Sequence, residues 1–179
     1  MMNMKKSKST IIKVVFSLIL CFSAAFAGLA FDLPRACLHL EDSNSSSEAS
    51  EILWNWILKR IRLSEAYAAL HDIYKKDCAA VFFDLNSDGE NEILGTHYAS
   101  ARNGNGEWLL YVLQKDKNGK YKEITGDTVY FDAKHPICIL LKKTDGYRNF
   151  QVYSETKDDD VTYVYNKEKG LYYKKSVKN

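Results

Sequence analysis

Residues 81 to 94 read VFFDLNSDGENEIL, and this stretch decides the fold class. Apolar runs stand at both ends, Val81–Phe83 and Ile93–Leu94, and their β-branched and aromatic residues are typical of strands. The polar residues between the runs, with glycine among them, are typical of a tight connection. The stretch therefore predicts two strands joined by a short polar loop, and a chain built on antiparallel pairing.

The loop places oxygen-bearing side chains at alternate positions. Asp84, Asn86 and Asp88 alternate, Gly89 follows directly, and Glu92 closes the loop. Alternation lets three side chains converge on one point, while glycine adopts the positive φ that a tight loop demands. Hard oxygen ligands with several negative charges are what Ca²⁺ binds. The predicted ligands, to be completed by water, are Asp84, Asn86, Asp88, the carbonyl of Glu90, and Glu92.

Three other kinds of structure share features of this loop. An EF-hand needs a bidentate Glu at the twelfth position from Asp84 and helices on both sides, but that position is Gly95 and the flanks are strand-like. The stretch VFFDL looks like the nucleophile strand of haloacid dehalogenase phosphatases, yet Asn86 stands where their general acid is needed. A solvated turn that binds nothing does not require four oxygen ligands at these spacings.

The pattern Asp-Xaa-Asn-Xaa-Asp-Gly-Xaa-Xaa-Glu, from Asp84 to Glu92, resembles the calcium loops of FG-GAP and related integrin-type (VCBS-like) repeats. Those loops also join two β-strands. The aromatic stretch 107–112 and the later Asn118-Gly119 turn extend the likeness more loosely. A propeller needs several copies of the loop, and the sequence holds one. The resemblance therefore implies a single calcium loop on a small exported β domain, without the adhesive function of the family.

Residues 1–27 have the organisation of a secretory signal peptide. Four lysines precede an apolar core from Val14 to Phe22, and Ala25-Phe26-Ala27 is an Ala-x-Ala cleavage site. Cys21 would suggest a lipoprotein, but Leu20 precedes it where a small residue is wanted. We therefore expect Sec-dependent export, cleavage near Ala27, a periplasmic or extracellular location and no stable membrane anchor.

Removal of the signal peptide changes the charge of the chain. The full sequence has 25 basic and 23 acidic residues, a net charge of +2, and all four basic residues of the first 27 are lysines. The mature chain then carries 21 basic and 23 acidic residues, a net charge of −2. No basic stripe remains to indicate nucleic-acid binding.

Three cysteines remain after cleavage, which permits one disulfide in an oxidising compartment. Cys138 lies within an apolar run, ICILL, and is expected to be a buried thiol. Cys37 and Cys78 flank the helical segment and are the preferred pair, although the sequence leaves the pairing among the three open. No histidine stands at a motif spacing from any cysteine, so a catalytic thiol is not expected.

The rest of the mature chain predicts an α+β fold. We expect a linker over residues 28–47 and one domain over 48–179, in which an N-terminal helical segment packs on an antiparallel meander of about seven to eight strands. Residues 48–76 contain neither Gly nor Pro and have a helical apolar period, compatible with one helix or with two hinged near residues 62–64. The expected strands are 79–84, 91–98, 107–115, 120–125, 136–143, 148–155, 160–166 and 170–175.

The predicted function is that of an exported, non-catalytic calcium-binding domain that recognises a protein, a glycan or a cell-wall component. One alternative is a periplasmic inhibitor or immunity protein directed against a hydrolase. Another is a metal-assisted hydrolase in which Asp84 or Glu92 acts as general base, but Ca²⁺ with a full ligand shell is a poor Lewis acid. No catalytic residue is expected.

Overall fold

The structure is a computed structural model that describes residues 33–40, 47–62, 64–69, 74–98, 106–155 and 157–175. The expected signal peptide, residues 1–27, lies outside the described residues. The helices are α1 (Ser47–Ile61) and α2 (Glu65–Ala69), followed by a 3₁₀ turn at Lys75–Asp77. The strands are β1 (Pro34–Leu38), β2 (Cys78–Phe83), β3 (Glu92–His97), β4 (Trp108–Lys115), β5 (Tyr121–Glu123), β6 (Val129–Phe131), β7 (Ile137–Thr144), β8 (Tyr147–Ser154), β9 (Asp159–Asn166) and β10 (Leu171–Lys174).

The described strands form two antiparallel sheets. The first sheet has the order β2-β3-β4-β5, with β6 also pairing with β4. The second has the order β1-β7-β8-β9-β10. The paired strands in both sheets are antiparallel, as short strands joined by tight turns predict. A parallel bridge between Thr125 and Tyr172 links one end of the first sheet to β10 of the second.

The main core lies between the two sheets. The first sheet contributes Val81, Leu94 and Val112, and the second contributes residues such as Ile139 and Phe150. All five side chains are almost completely buried. Two-sided burial explains why β2 reads as a nearly continuous apolar run, because its other face is covered as well. The neighbouring strand β3 is also buried at every position, although it includes polar residues.

Helix α1 covers the outer face of the first sheet. Leu53 and Ile57 pack with Ala80, Ile93 and the other residues of a second apolar cluster. The approach is close: a Cβ added at position 95 would lie 2.6 Å from the Cβ of Ala80 and 2.8 Å from Cδ2 of Leu53. Glycine at position 95 therefore lets the helix and the strands pack together.

The helical segment is divided into two helices. Helix α1 ends at Ile61, where Arg62 takes a φ of 54°, and α2 begins at Glu65. A non-glycine residue in this region of φ breaks the helical path, so a single continuous helix is wrong. The α+β class and the packing of the helix on the sheet are confirmed.

The strand count and the single meander differ from the expectation. All eight expected strands overlap observed strands, but β1 and β6 raise the number among the described residues to ten, arranged in two sheets. Strand β1 forms within residues 28–47, which were expected to be a linker. Both additional strands are short, with five residues in β1 and three in β6, and depend on partners distant in the chain.

The disulfide joins Cys37 to Cys138, and the preferred Cys37–Cys78 pairing is wrong. Cys37 in β1 lies directly opposite Cys138 in β7, with 4.1 Å between their Cα atoms. Cys138 is half-buried, whereas Cys78 is the buried free thiol. The bond spans 101 residues, and closing so long a loop stabilises the fold by about 4–5 kcal/mol in the chain-entropy estimate.

Candidate functional site

The predicted calcium loop connects β2 to β3, as its likeness to strand-joining calcium loops implied. Phe83 and Glu92 form the last pair of the β2–β3 ladder, so the loop leaves and re-enters the sheet at one point. Leu85 anchors the loop in the core, where it is completely buried. The carbonyl of Leu85 accepts a hydrogen bond from the backbone N–H of Arg148 in β8, at 2.7 Å. The loop is therefore held by both sheets.

The loop residues fold back on themselves through hydrogen bonds from backbone N–H groups to side chains. The carboxylate of Asp84 accepts from the N–H of Ser87 at 2.6 Å and from the N–H of Gly89 at 3.3 Å. Asn86 Oδ1 accepts from the N–H of Asp88 at 2.9 Å, and Asp88 Oδ1 accepts from the N–H of Glu90 at 2.8 Å. Short side chains with an oxygen acceptor stabilise tight turns in this way.

Two residues of the loop have positive φ. Ser87 has φ of 67° and Gly89 has φ of 88°. A Cβ at position 89 would meet no atom within 4 Å, so glycine is needed there for its backbone conformation and not for space. This confirms the turn geometry that the sequence predicts for Gly89.

Glu92 turns its carboxylate into the base of the loop, although it is only 2% exposed. Its Oε2 accepts from the N–H of Leu85 at 2.9 Å, and its Oε1 accepts from Nε2 of Gln114 at 3.2 Å. Burial raises the pKa of Glu92 to about 7, and the negative charges of Asp88 and Asp84 raise the pKa further, against the two hydrogen bonds that lower it. A buried carboxylate beside two others is the group that gains most from a nearby cation.

Three of the predicted ligands meet at the side-chain nitrogen of Asn86. This Nδ2 donates to Oδ2 of Asp88 at 2.7 Å and lies 3.4 Å from Oε1 of Glu92. The hydroxyl of Tyr147 is a further partner of the same nitrogen, at 3.3 Å. A positively polarised N–H₂ group thus occupies the point on which the two carboxylates converge.

The side chains of the other two predicted residues do not reach this point. Asp84 directs its carboxylate to the backbone of the loop, and the exposed side chain of Glu90, whose predicted ligand is the backbone carbonyl, lies 3.8 Å from Nζ of Lys115. In the described parts of the chain, no three His, Cys, Asp or Glu side chains are grouped closely enough to hold a metal ion. The five predicted residues therefore share one loop, and three of them meet.

Sequence reasoning missed three residues that complete the site. Gln114 of β4 and Tyr147 of β8 both contact the Asn86–Glu92 pair and hydrogen-bond each other. Lys143 of β7 donates from Nζ to the carbonyl of Asn86 and to Oγ of Ser87, each at 2.8 Å. One signal was readable for Gln114, because it continues the alternation of the buried Leu110 and Val112 and so places an amide on a core-facing position.

A cleft of about 360 Å³ opens beside the loop. One wall is the predicted calcium loop, residues 84–92, and the other is the turn between β4 and β5. The residues that line it are Asp88, Glu90, Asn91, Glu92, Gln114, Lys115, Asp116, Lys117 and Gly119. Solvent can therefore reach the loop on the side where Glu92 and Asp88 lie.

The free thiol and the histidine beside it do not form a reactive pair. Cys78 and His97 are direct neighbours across the β2–β3 ladder. Burial, and then the charge of Asp77, raises the pKa of Cys78 to about 12, while burial lowers the pKa of His97. His97 also contacts the carbonyl of Tyr74 through Nε2, at 3.0 Å. A thiol that stays protonated is a poor nucleophile.

Comparisons with protein-family models, with curated proteins and with solved structures gave no match to this chain. None of the helices in the described residues is long and apolar enough to cross a membrane.

Proposed function

We propose that this chain is an exported, non-catalytic domain that binds one Ca²⁺ and recognises a partner molecule. The ligands are Asp84, Asn86, Asp88, the carbonyl of Glu90, and Glu92. The observation that carries the proposal is the convergence at Asn86, whose amide nitrogen lies within 3.4 Å of oxygens from Asp88 and Glu92. The amide group in the structure takes the place that a cation would take between these two carboxylates.

The loop fits an ion after a small rearrangement. Rotation of the Asn86 side chain would direct Oδ1 instead of Nδ2 toward Asp88 and Glu92, which would make Asn86 an oxygen ligand. Asp84 needs less change, because each carboxylate oxygen has a second lone pair beyond the one used by Ser87 or Gly89. Ca²⁺ accepts six to eight oxygens in flexible geometry, so a loop with two carbonyl-type and three carboxylate ligands suits it, with water filling the remainder.

A role in catalysis is disfavoured by the surroundings of the two carboxylates that a hydrolase would use as base. Both oxygens of Asp84 accept hydrogen bonds from the loop backbone. Glu92 is buried and bonded to Leu85 and Gln114. These hydrogen bonds engage the oxygens that a general base would use to take a proton from a substrate.

Export is supported by the signal-like residues 1–27 and by the Cys37–Cys138 disulfide. Structural disulfides persist in oxidising compartments and are rare in reducing ones. Calcium is also more abundant outside cells than inside, so a loop of modest affinity could be filled there. The partner is a protein, a glycan or a cell-wall component, and the net charge of −2 on the mature chain argues against nucleic acid.

The test is thermal unfolding of the purified protein in 1 mM calcium and in excess chelator. A ligand that binds the folded state raises the free energy of unfolding, by about 2.7 kcal/mol at a hundredfold excess over Kd. We expect the calcium-dependent rise in Tm to disappear in Asp88→Ala and to persist in Asp116→Ala, a matched change in the neighbouring turn. Hydrolytic activity that Glu92→Gln removed without altering calcium binding would instead establish an enzyme.

A further inference from the structure

A second surface lies between helix α1 and the start of β5. Two adjoining cavities, of about 260 and 360 Å³, share Trp56 and Lys59 from the helix and Tyr121 from the strand. We call this surface the aromatic groove. Its remaining lining residues are Ile52, Asn55, Arg60 and Lys120. None of these residues belongs to the calcium loop.

The floor of the aromatic groove is formed by two half-buried aromatic side chains, Trp56 and Tyr121. The Trp56 ring is fixed by an edge-on contact with Tyr111, with 5.4 Å between ring centroids. The guanidinium of Arg60 lies 4.9 Å from the centre of the Trp56 ring and is ion-paired with Glu123 of β5. These contacts hold the floor in place before any ligand arrives, which lowers the entropy cost of binding.

The rim of the groove carries positive charge. Lys59 and Lys120 are exposed, and neither makes an ion pair with another residue in the described part of the chain. The positive charge of Arg60, by contrast, is matched by Glu123. Lys59 and Lys120 lie outside any of these ion pairs and favour an anionic ligand at this place, against the negative charges of Glu48 and Glu90, which act on Tyr121.

We propose that the aromatic groove binds an acidic polysaccharide, one whose sugars carry carboxylates. A sugar ring has an apolar C–H face that packs on aromatic rings such as Trp56 and Tyr121, and hydroxyl groups around its edge. Asn55 stands at the groove with an amide that can hydrogen-bond those hydroxyls. The ammonium groups of Lys59 and Lys120 then attract the carboxylates.

An acidic protein segment fits the same surface less well. A peptide that adds to a sheet edge needs a length of free strand, and β5 has only three residues. The groove also offers two aromatic rings, Trp56 and Tyr121. These rings suit the flat C–H face of a sugar, which an acidic peptide such as polyglutamate lacks.

This inference deepens the partner-binding half of the proposed function, on which it rests, and it is independent of the calcium half. The Asp84→Ala variant separates the two: it should lose calcium binding and still bind the glycan. If the unmodified protein binds calcium but no glycan, the glycan proposal fails and the calcium proposal stands. If it binds the glycan but no calcium, the calcium proposal fails and the glycan proposal stands.

The experiment is calorimetric titration of the purified protein with a hexasaccharide of alternating glucuronate and N-acetylglucosamine. A hexamer of N-acetylglucosamine alone serves as the neutral probe, and hexaglutamate serves as the acidic peptide probe. We expect binding of the acidic hexasaccharide that weakens as salt rises, and at least tenfold weaker binding of both other probes. Trp56→Ala should reduce the affinity for the acidic hexasaccharide by about tenfold or more.

Trp56 also packs on Tyr111, so a variant that keeps the fold is needed as well. The double variant Lys59→Ala/Lys120→Ala changes only exposed side chains and should weaken binding about fivefold or more. Its control is Lys134→Ala/Lys167→Ala, which removes the same charge from exposed positions elsewhere and should leave binding unchanged. The proposal is overturned if no heat is observed, if the control loses as much affinity, or if the neutral hexamer or hexaglutamate binds as tightly.

Discussion

Two hairpin connections of the first sheet use the same turn chemistry but differ in what surrounds them. In the predicted calcium loop, Asp84 accepts hydrogen bonds from the N–H groups of Ser87 and Gly89. In the turn after β4, Asp116 Oδ1 accepts from the N–H groups of Asn118 and Lys120, at 2.8 and 2.9 Å. Gly89 and Gly119 both have positive φ, 88° and 76°. The two loops therefore meet the needs of a tight turn equally well.

The predicted calcium loop also has a buried carboxylate, Glu92, in a hydrogen-bond network with residues of other strands. Glu92 is 2% exposed and bonded to Gln114, and Tyr147 of the second sheet reaches Asn86 beside it. The Asp116 turn has no second acidic residue of this kind among the side chains that bond to it. A turn alone explains Asp84, Asn86 and Asp88, but it does not explain Glu92. Glu92, the residue that closes the loop, therefore distinguishes it from the Asp116 turn.

The two loops should differ most in how much stability is lost when their carboxylates, Glu92 and Asp116, are replaced by alanine. Glu92→Ala leaves the N–H of Leu85 and the amide of Gln114 without their buried acceptor. We expect it to lower the free energy of unfolding by about 3 kcal/mol, measured by denaturant titration in calcium. Asp116→Ala removes only an exposed turn acceptor and should cost much less. If Glu92→Ala and Asp116→Ala lowered the free energy of unfolding equally, the two loops would not differ in the way described.

Glu92 and Asp116 should make stability change with pH in opposite directions. The folded-state pKa of Glu92 is raised to about 7 from 4.5, so without calcium the folded protein keeps a proton that the unfolded chain releases. Its contribution to stability is fully present below pH 4.5 and is lost as pH rises through 7, on the order of 3 kcal/mol. Hydrogen bonds from the backbone lower the pKa of Asp116, so its contribution is instead lost in acid.

Denaturant titrations of the chelator-treated protein from pH 5 to pH 8 measure this dependence. Glu92→Gln should flatten the decline, because the neutral amide does not titrate. Saturating calcium should also reduce the decline in the unmodified protein, since the ion stabilises the ionised carboxylate. A decline that is unchanged in Glu92→Gln would assign the effect to another group.

Only part of this comparison was readable from the sequence. The spacing of Asp84, Asn86, Asp88 and Glu92 predicted a shared loop between two strands, since local turn chemistry depends on neighbours in the chain. The contacts of Lys143 and Tyr147 with the loop depend on how the two sheets pack, which no local pattern encodes. The contact of Gln114 depends on the pairing of β4 with β3.

The same limit applies to the fold. The eight strands predicted from alternation and turn residues overlap observed strands, whereas the pairing of β1 with β7 and of β6 with β4 joins distant segments. The Cys37–Cys138 bond was missed for this reason, because it requires a strand in residues that read as a linker. The helix break at Arg62 was left open by a segment without Gly or Pro.

The smallest effect is expected at Glu90. The proposed ligand from this residue is its backbone carbonyl, and its exposed side chain makes one distant ion pair with Lys115. Glu90→Gln should therefore change stability by less than about 0.5 kcal/mol and leave the calcium affinity nearly unchanged, as measured by calorimetry. A large loss of affinity would mean that the Glu90 carboxylate, and not its carbonyl, binds the ion.

Calcium titration by calorimetry tests the central claim most directly, with the unmodified protein, Asp88→Ala and Asp116→Ala compared under one set of conditions. The account predicts one bound ion per chain in the unmodified protein and in Asp116→Ala, and no measurable binding in Asp88→Ala. An absence of heat for the unmodified protein at millimolar calcium, or an equal loss in the two variants, would contradict it.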